Sequence, residues 1–241
     1  MAQMELQGGV AHIFLERREK ANALDSRLLV DLLAALEKTK AQEGLRAVVL
    51  GGHGSTFCGG ADVNEMAELN QESARAFITR IHAVCAAIRA LPVPVVARLQ
   101  GAVIGAGLEI AAACDLRIAA QATKFSMPEV RLGMPSVVEA ALLPRLIGSG
   151  RTAWLVLTGE AIDAQRAYEW GLVEEVAEDL DTAIDAVLKS LLAGEREALR
   201  VQKELLQMWQ EAPLSASIAA SIERFAQSFA GGNPASRMRM R

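Results

Sequence analysis

Two glutamates and two glycine turns are the features of this 241-residue chain whose surroundings ask for a chemical role. Glu109 stands in GAVIGAGLEIAAACD, residues 101–115, with small or apolar neighbours on both sides. A carboxylate drawn into such surroundings is costly to ionise unless a cation pairs with it. It therefore either meets a core arginine, such as Arg98 or Arg117, or holds a proton for use. Glu129 stands twenty residues further on, in KFSMPEVRLGMPS. Pro128 disfavours a helix at Met127 and so presents Glu129 on a loop. A helix, a strand and a return loop between the two can bring both carboxylates to one end of a sheet. Paired carboxylates separate in pKa, one staying neutral while the other ionises. Giving a proton and taking one requires that pair of states.

The glycine turns suggest what would stand beside them. Gly105, Ala106 and Gly107 lack the third glycine or alanine of a dinucleotide fingerprint, and no Lys-Ser or Lys-Thr follows to make a phosphate loop. What remains is a strand running into a turn that opens a helix, leaving backbone N–H groups free to meet a negatively charged oxygen. A second turn, GGHGSTFCGGADVNEM, sets Gly59, Gly60 and Ala61 before Asp62. Asp62 is expected to cap a helix and to form a capping box with Glu65. Two N–H groups aimed at one oxygen stabilise an enolate, each by about a few kcal/mol. The residues alone leave the plain alternatives open: an ion-paired core glutamate, and a loop glutamate that is only solvated.

The elements that must position these groups follow from pattern. Val10–Leu15 and Ala47–Leu50 read as buried strands, with a helix over Ser26–Gln42 between them. Helical character returns over Asn64–Leu91, ended by the prolines of LPVPVVARLQG, which open a strand at Val95–Leu99. A short helix is expected over Leu108–Ala113 and a strand over Leu116–Ala120. Leu142–Ile147, Arg151–Thr158 and Ala164–Trp170 read as helices punctuated by glycines. After a strand at Val173–Val176 the chain is helical over 180–193, 195–211 and 213–230. The boundary falls near Gly194, giving an α/β core over residues 1–194 and a helical unit over 195–241.

Composition narrows the classes. The chain is 51% hydrophobic and 22% charged, with net charge −4, which offers no general attraction to nucleic acid or an anionic membrane. Three dispersed cysteines, Cys58, Cys85 and Cys114, suit neither a disulfide framework nor a metal cluster and point to a reducing cytoplasm. The N-terminus lacks the pattern of a signal peptide, and charges break every apolar run short of the roughly 20 residues of a membrane span. His12, His53 and His82 read as structural or surface residues, Asp115 as bonding backbone at the turn after the helix, and Trp154 and Trp170 as packing.

Taken together, RREKANALDSRLL, GSTFCGGADVNEM, PVPVVARLQGAVIGAGLEIAAACDLRIAA, FSMPEVRLGMP and LTGEAIDAQRAYEWGLVEEV resemble, in order and over most of the chain, the crotonase superfamily of enoyl-CoA hydratases and isomerases. The resemblance implies an α/β fold, a crotonase-like spiral of ββα repeats with C-terminal helices that complete a homotrimer or homohexamer. It implies an oxyanion hole from the N–H groups of Ala61 and Ala106, with Glu109 and Glu129 as the catalytic pair. Glu129 would give a proton to C2 of a 2-enoyl thioester and Glu109 would orient and deprotonate the water. Ala21, Gly60, Ala61, Asp62, Val63, Asn64, Gly105 and Pro128 would meet the acyl-CoA substrate. No metal and no separate cofactor is implied, coenzyme A being part of the substrate. Hydration of a 2-enoyl-CoA is the expected reaction. The alternatives are a Δ3,Δ2-enoyl-CoA isomerase, another crotonase-type reaction on a CoA thioester, and a non-catalytic acyl-CoA-binding or RNA-binding member.

The chain also departs from the family pattern. Hydratases often follow the second glutamate with a Gly-rich loop, LG-x-x-PG-x-GG, where this chain has LGMPSVVEAALLPRL, one residue shorter before Pro135. Ser136, Val137, Val138 and Glu139 thus replace a segment that lines the acyl pocket. Glu139 is either a third acid or, as expected, a carboxylate at a helix N-terminus. Asn64 stands where a lysine is common, and Arg18 where a proline is. SFAGGNPASRMRMR stops where many relatives continue through another helix, so an incomplete lid over CoA is expected. Its Arg237, Arg239 and Arg241 would meet a CoA phosphate or form a solvated tail.

Overall fold

The computed structural model describes residues 1–230 together with 234 and 238; Arg237, Arg239 and Arg241 lie outside the described residues. In chain order the elements begin β1 (Ala2–Gln7), β2 (Val10–Leu15), α1 (Ser26–Lys40), β3 (Ala47–Gly52), α2 (Val63–Ala67) and α3 (Gln71–Arg89). Next come β4 (Val95–Leu99), β5 (Ala102–Ile104), α4 (Ala106–Ala113), β6 (Leu116–Ala120) and β7 (Lys124–Ser126). Two 3-10 turns, Glu129–Leu132 and Val138–Leu142, lead into α5 (Leu143–Ile147) and α6 (Ser149–Thr158). Then follow β8 (Ile162–Asp163), α7 (Ala164–Trp170), β9 (Glu175–Ala177), α8 (Leu180–Ala193), α9 (Arg196–Glu211) and α10 (Leu214–Ser228).

The expected helix over Asn64–Leu91 is two helices. Asn70 breaks it: its side chain accepts from Glu72 N and Ser73 N, while Ser73 Oγ accepts from the Asn70 N–H, a capping box that starts α3 afresh. The short strands β5, β7 and β8 carry too few residues for a pattern to show, and the sequence reading did not find them.

Six strands form the main sheet in the order β1-β2-β3-β4-β6-β9, antiparallel only between β1 and β2. Strand alternation divides its burial between two faces. In β3, Val48 and Leu50 face the large core that α1 and α3 close, while Ala47 and Val49 face the smaller cluster under α8, with Ile184 and Leu188. Both faces are covered, so the parallel strands read as continuous apolar runs. A smaller sheet, β5-β7-β8, stands beside the main one and carries the turn into α4.

Buried charge ties α9 to the body. Lys203 is 4% exposed; its Nζ lies 2.8 Å from Asp115 Oδ2 and also donates to the carbonyls of Ile88 and Val93. Asp115 in turn accepts from Val95 N at 2.7 Å, the backbone role its position in the turn suggested. Trp154 and Trp170 pack edge to face with the Arg166 guanidinium over both rings.

Candidate active site

Two loops meet beside α4. Cys58 bridges to Val103 of β5, and Leu24 bridges to Ala61 on the other side. The Leu24 bridge uses Gly60 O and Asp62 N, so the intervening Ala61 N–H points away from it. Ala106 opens α4, where the first N–H groups lack intrahelical acceptors. Among the described residues neither the Ala61 nor the Ala106 N–H has a hydrogen-bond acceptor.

Gly105, between β5 and α4, has φ of +51° and lies directly under Glu129: a Cβ built there would collide with Glu129 Oε1. Only glycine accommodates both the conformation and the contact. Gly60, with φ of +93°, comes so close to the Ile104 carbonyl that a Cβ would sit 3.0 Å from it.

Asp62 caps α2 through Asn64 N and Glu65 N, and its other oxygen meets Arg17 Nη1 at 2.6 Å. That pair pins the helix start next to Ala61. The expected capping box with Glu65 is absent: Glu65 reaches across to the backbone N–H and hydroxyl of Ser26. The tertiary partner replaces the local one.

Glu109 is buried, and among the described residues no cation stands beside it. Arg98 pairs with Asp181 and Arg117 with Glu174, so the core arginines are engaged elsewhere. Glu109 Oε1 accepts from Ala140 N at 3.1 Å. Burial pushes its carboxyl up to about 8, and the charges of Glu129 and Glu139 act in the same direction against the Ala140 hydrogen bond. Near neutral pH Glu109 therefore retains a proton. Glu129 sits at the start of its 3-10 turn, and Ser136 Oγ donates to its Oε2 at 2.8 Å.

Ala61, Ala106, Glu109 and Glu129 line one cavity of about 510 Å³, together with Gly60, Val63, Gly105 and Pro128. Ala21, Asp62 and Asn64 do not line it: Asp62 is the cap just described, and Ala21 supports the loop by accepting from Gly59 N. Apolar side chains of α2 and α3, chiefly Met66, Phe77, Ile78 and Ile81, make up much of the remaining wall. Nothing in the sequence marks these α3 residues as a wall, because helical spacing does not distinguish a cavity wall from packing.

In the segment after Gly133, Glu139 stands in the first turn of its 3-10 helix, as expected of a carboxylate at a helix N-terminus, and is buried there: it is 8% exposed, and its Oε1 lies 2.8 Å from His82 Nδ1. Through this contact His82 takes the structural of its two expected roles. Val138 just before has φ of +39°, a conformation that costs a β-branched residue about 1–3 kcal/mol. That bend precedes both the inward turn of Glu139 and the donation of Ala140 N–H to Glu109.

The arrangement offers two N–H donors without acceptors, one carboxyl that keeps its proton and a second carboxyl on the opposite loop, all on an apolar cavity. It can stabilise an oxyanion and move a proton at a neighbouring carbon.

Comparison with known proteins gives the same direction. The family model described as enoyl-CoA hydratase/isomerase matches residues 5–234. A Bacillus subtilis protein described as a putative enoyl-CoA hydratase/isomerase is 34% identical over 90% of this chain and 85% of its own length. The mouse mitochondrial methylglutaconyl-CoA hydratase is 31% identical over 91% of this chain and 72% of its own. The crystal structure of an enoyl-CoA hydratase from Thermoplasma volcanium superposes with a TM-score of 0.91 at 30% identity, covering 95% of this chain and 92% of that one.

Proposed function

The chain belongs to the enoyl-CoA hydratase/isomerase family and has the crotonase fold, and from that premise we propose that it hydrates a 2-enoyl-CoA thioester. The pairing of Glu109 with Glu129 on the cavity that also holds the Ala61 and Ala106 N–H groups carries this reading. The thioester oxygen takes the place of the missing acceptor between the two N–H groups. Water's oxygen bonds to C3 as one of its protons passes to a carboxylate. The C2=C3 electrons move toward the thioester, and the resulting enolate takes a proton at C2 from the other carboxyl. Water's atoms are conserved in the product, and the proton pair returns to its starting number. Glu129 serves as donor to C2 and Glu109 as the base for water. Since the pair shares its proton, Glu109 must lose it as the complex loads. No separate cofactor enters this chemistry, and the three buried free thiols suit a reducing cytoplasm.

The test is loss of the conjugated enoyl-thioester absorbance when protein is added to crotonyl-CoA and to longer and branched analogues. Absence of turnover across that panel would sink the hydratase reading. One observation favours a Δ3,Δ2-enoyl-CoA isomerase instead: the Ser136 hydroxyl already occupies Glu129 Oε2, leaving that carboxylate less free to hold water. A 3-enoyl-CoA converted to the conjugated ester, without hydration of the latter, would establish it.

For assembly we propose self-association through α10. Leu214, Ile218, Ile222 and Phe225 repeat at helical spacing and are each more than half exposed, forming an apolar face too large for a helix end in water. The family resemblance supports a trimer or a hexamer.

A further inference from the structure

Behind Glu109, on the side away from the cavity, lies a group of side chains that the reaction just described does not use. Glu139 and Ala140 are consecutive on the 3-10 turn Val138–Leu142, and His82 and Cys85 share one face of α3. Glu139 Oε1 meets His82 Nδ1 at 2.8 Å, while among the described residues its Oε2 is buried with no hydrogen-bond partner of good geometry, the Cys85 thiol interacting with the carboxyl. The Glu139 side chain is only 9% exposed, whereas that of His82 is 57% exposed. The pair therefore connects the protein's exterior to the rear of the site. An ionised carboxylate with one oxygen unpartnered is a costly thing to bury. The hydrogen bond to His82 and the bend at Val138 keep it there.

The surrounding groups leave this charge few targets. From α4 it faces Glu109, from α3 it faces His82 and Cys85, and the charge of Glu129 also acts on Glu109. Cys85 is buried and its thiol is pushed well above its ordinary range, by burial first and then by the charges of Glu139 and Glu109, so it stays neutral. Among the described residues His82 is the one cationic-capable group paired with Glu139.

We propose that Glu139 is a positioning residue for Glu109: clamped by His82, it places a negative charge and the Ala140 N–H at the rear of that carboxyl and so governs where the shared proton of the catalytic pair resides. The turn delivers both effects at once. The N–H holds Glu109 Oε1 in place, and the neighbouring charge opposes ionisation of the same carboxyl. His82 controls that charge from the solvent side, since Glu139 without its clamp is free to swing away from Glu109 and its field there weakens. The assignment of Glu109 to the catalytic pair rests on the proposed function; the electrostatic coupling does not.

The test is a titration of the Glu109 side-chain carboxyl by 13C NMR in uniformly labelled protein, with Glu109→Gln identifying the signal. Folding of each variant is checked by its melting curve. In Glu139→Gln, which keeps the shape and removes the charge, the Glu109 midpoint falls by about half a pH unit or more. In His82→Ala, on the exposed end of the pair, it falls in the same direction, and Glu139→Asp restores most of the wild-type value. A midpoint unchanged in folded Glu139→Gln, or in folded His82→Ala should the first not fold, overturns the proposal. This readout needs no substrate, so failure of the hydratase assay leaves it intact. Where hydration is observed, the descending limb of kcat/KM against pH moves with the NMR midpoint.

Discussion

The Ala140 backbone N–H donates to Glu109 Oε1 at 3.1 Å, across 31 residues of sequence. This bond fixes one oxygen of a carboxyl that has no cation beside it and leaves the other free to face the cavity. It also joins the turn after Gly133 to α4, the helix that carries Glu109.

Replacing either glutamate of the pair separates their roles. Glu109→Gln and Glu129→Gln should each lower the hydration rate by about 10²–10⁴-fold. Exchange of the C2 hydrogens of a saturated acyl-CoA in heavy water needs only the oxyanion donors and the group that serves C2. It should survive in Glu109→Gln and vanish in Glu129→Gln. The opposite pattern, read by mass spectrometry, reverses the division proposed above.

The rate should also depend on pH in a definite direction. Burial holds the Glu109 proton up to about 8. The working pair carries one proton, on Glu129 when C2 is served, so kcat/KM falls as pH rises through about 8, where that shared proton is lost. A kcat/KM that goes on rising above about pH 8 would remove the shared proton from the mechanism.

Stability should run the other way. The carboxyl titrates at 4.5 when exposed and at about 8 in the fold. Between those values the folded chain binds the extra proton, so its contribution is full below 4.5 and is lost as pH rises through about 8. Glu109→Gln removes this loss and should stabilise the protein relative to wild type at pH 9 by on the order of a few kcal/mol, with much less gain at pH 5. Equal melting-temperature differences at the two pH values contradict the coupling.

Gly105→Ala should affect chemistry more than folding. The new methyl displaces Glu129 and the positive φ adds about 1–2 kcal/mol of strain. We expect kcat to fall by roughly 10²-fold, the scale of a misplaced catalytic group, with a modest drop in melting temperature. Wild-type kcat in this variant would show that Glu129 is not held where the structure puts it.

A charge in the α10 face should change the assembly. Ile222 and Phe225 are exposed at 61% and 69%. If the proposed self-association runs through this face, Ile222→Asp with Phe225→Asp should lower the mass in light scattering to that of one chain, with helix content retained. An oligomer of unchanged mass places the interface elsewhere.

The elements were readable wherever burial imposed a period. β2, β6, α7 and α8 lie where the pattern sets them, because a strand with both faces covered and a helix with one apolar stripe are local consequences of side-chain spacing. Asn64–Leu91 misled because its apolar residues continue across Asn70, whose capping chemistry outweighs periodicity. The candidate pair Glu109 and Glu129 stood out for a different reason: an acidic residue in an otherwise apolar run is conspicuous, and so is a glutamate fixed behind a proline.

Partners were not legible, since a hydrogen bond across many residues leaves no periodic trace. Glu65 spends its carboxylate on Ser26, Lys203 is buried against Asp115, and Glu139 turns inward to His82. Each could have served a nearer or a solvated role, and only packing decided otherwise. The sequence by itself determined the residue types, the free N–H groups at two turns and the order of the strands' building blocks. The tertiary structure decided that Glu109 lacks a cation, because Arg98 and Arg117 are drawn to Asp181 and Glu174. A carboxyl's proton affinity depends on every charge and dipole that the fold brings within a few ångströms, and that neighbourhood exists only once the chain has closed around it.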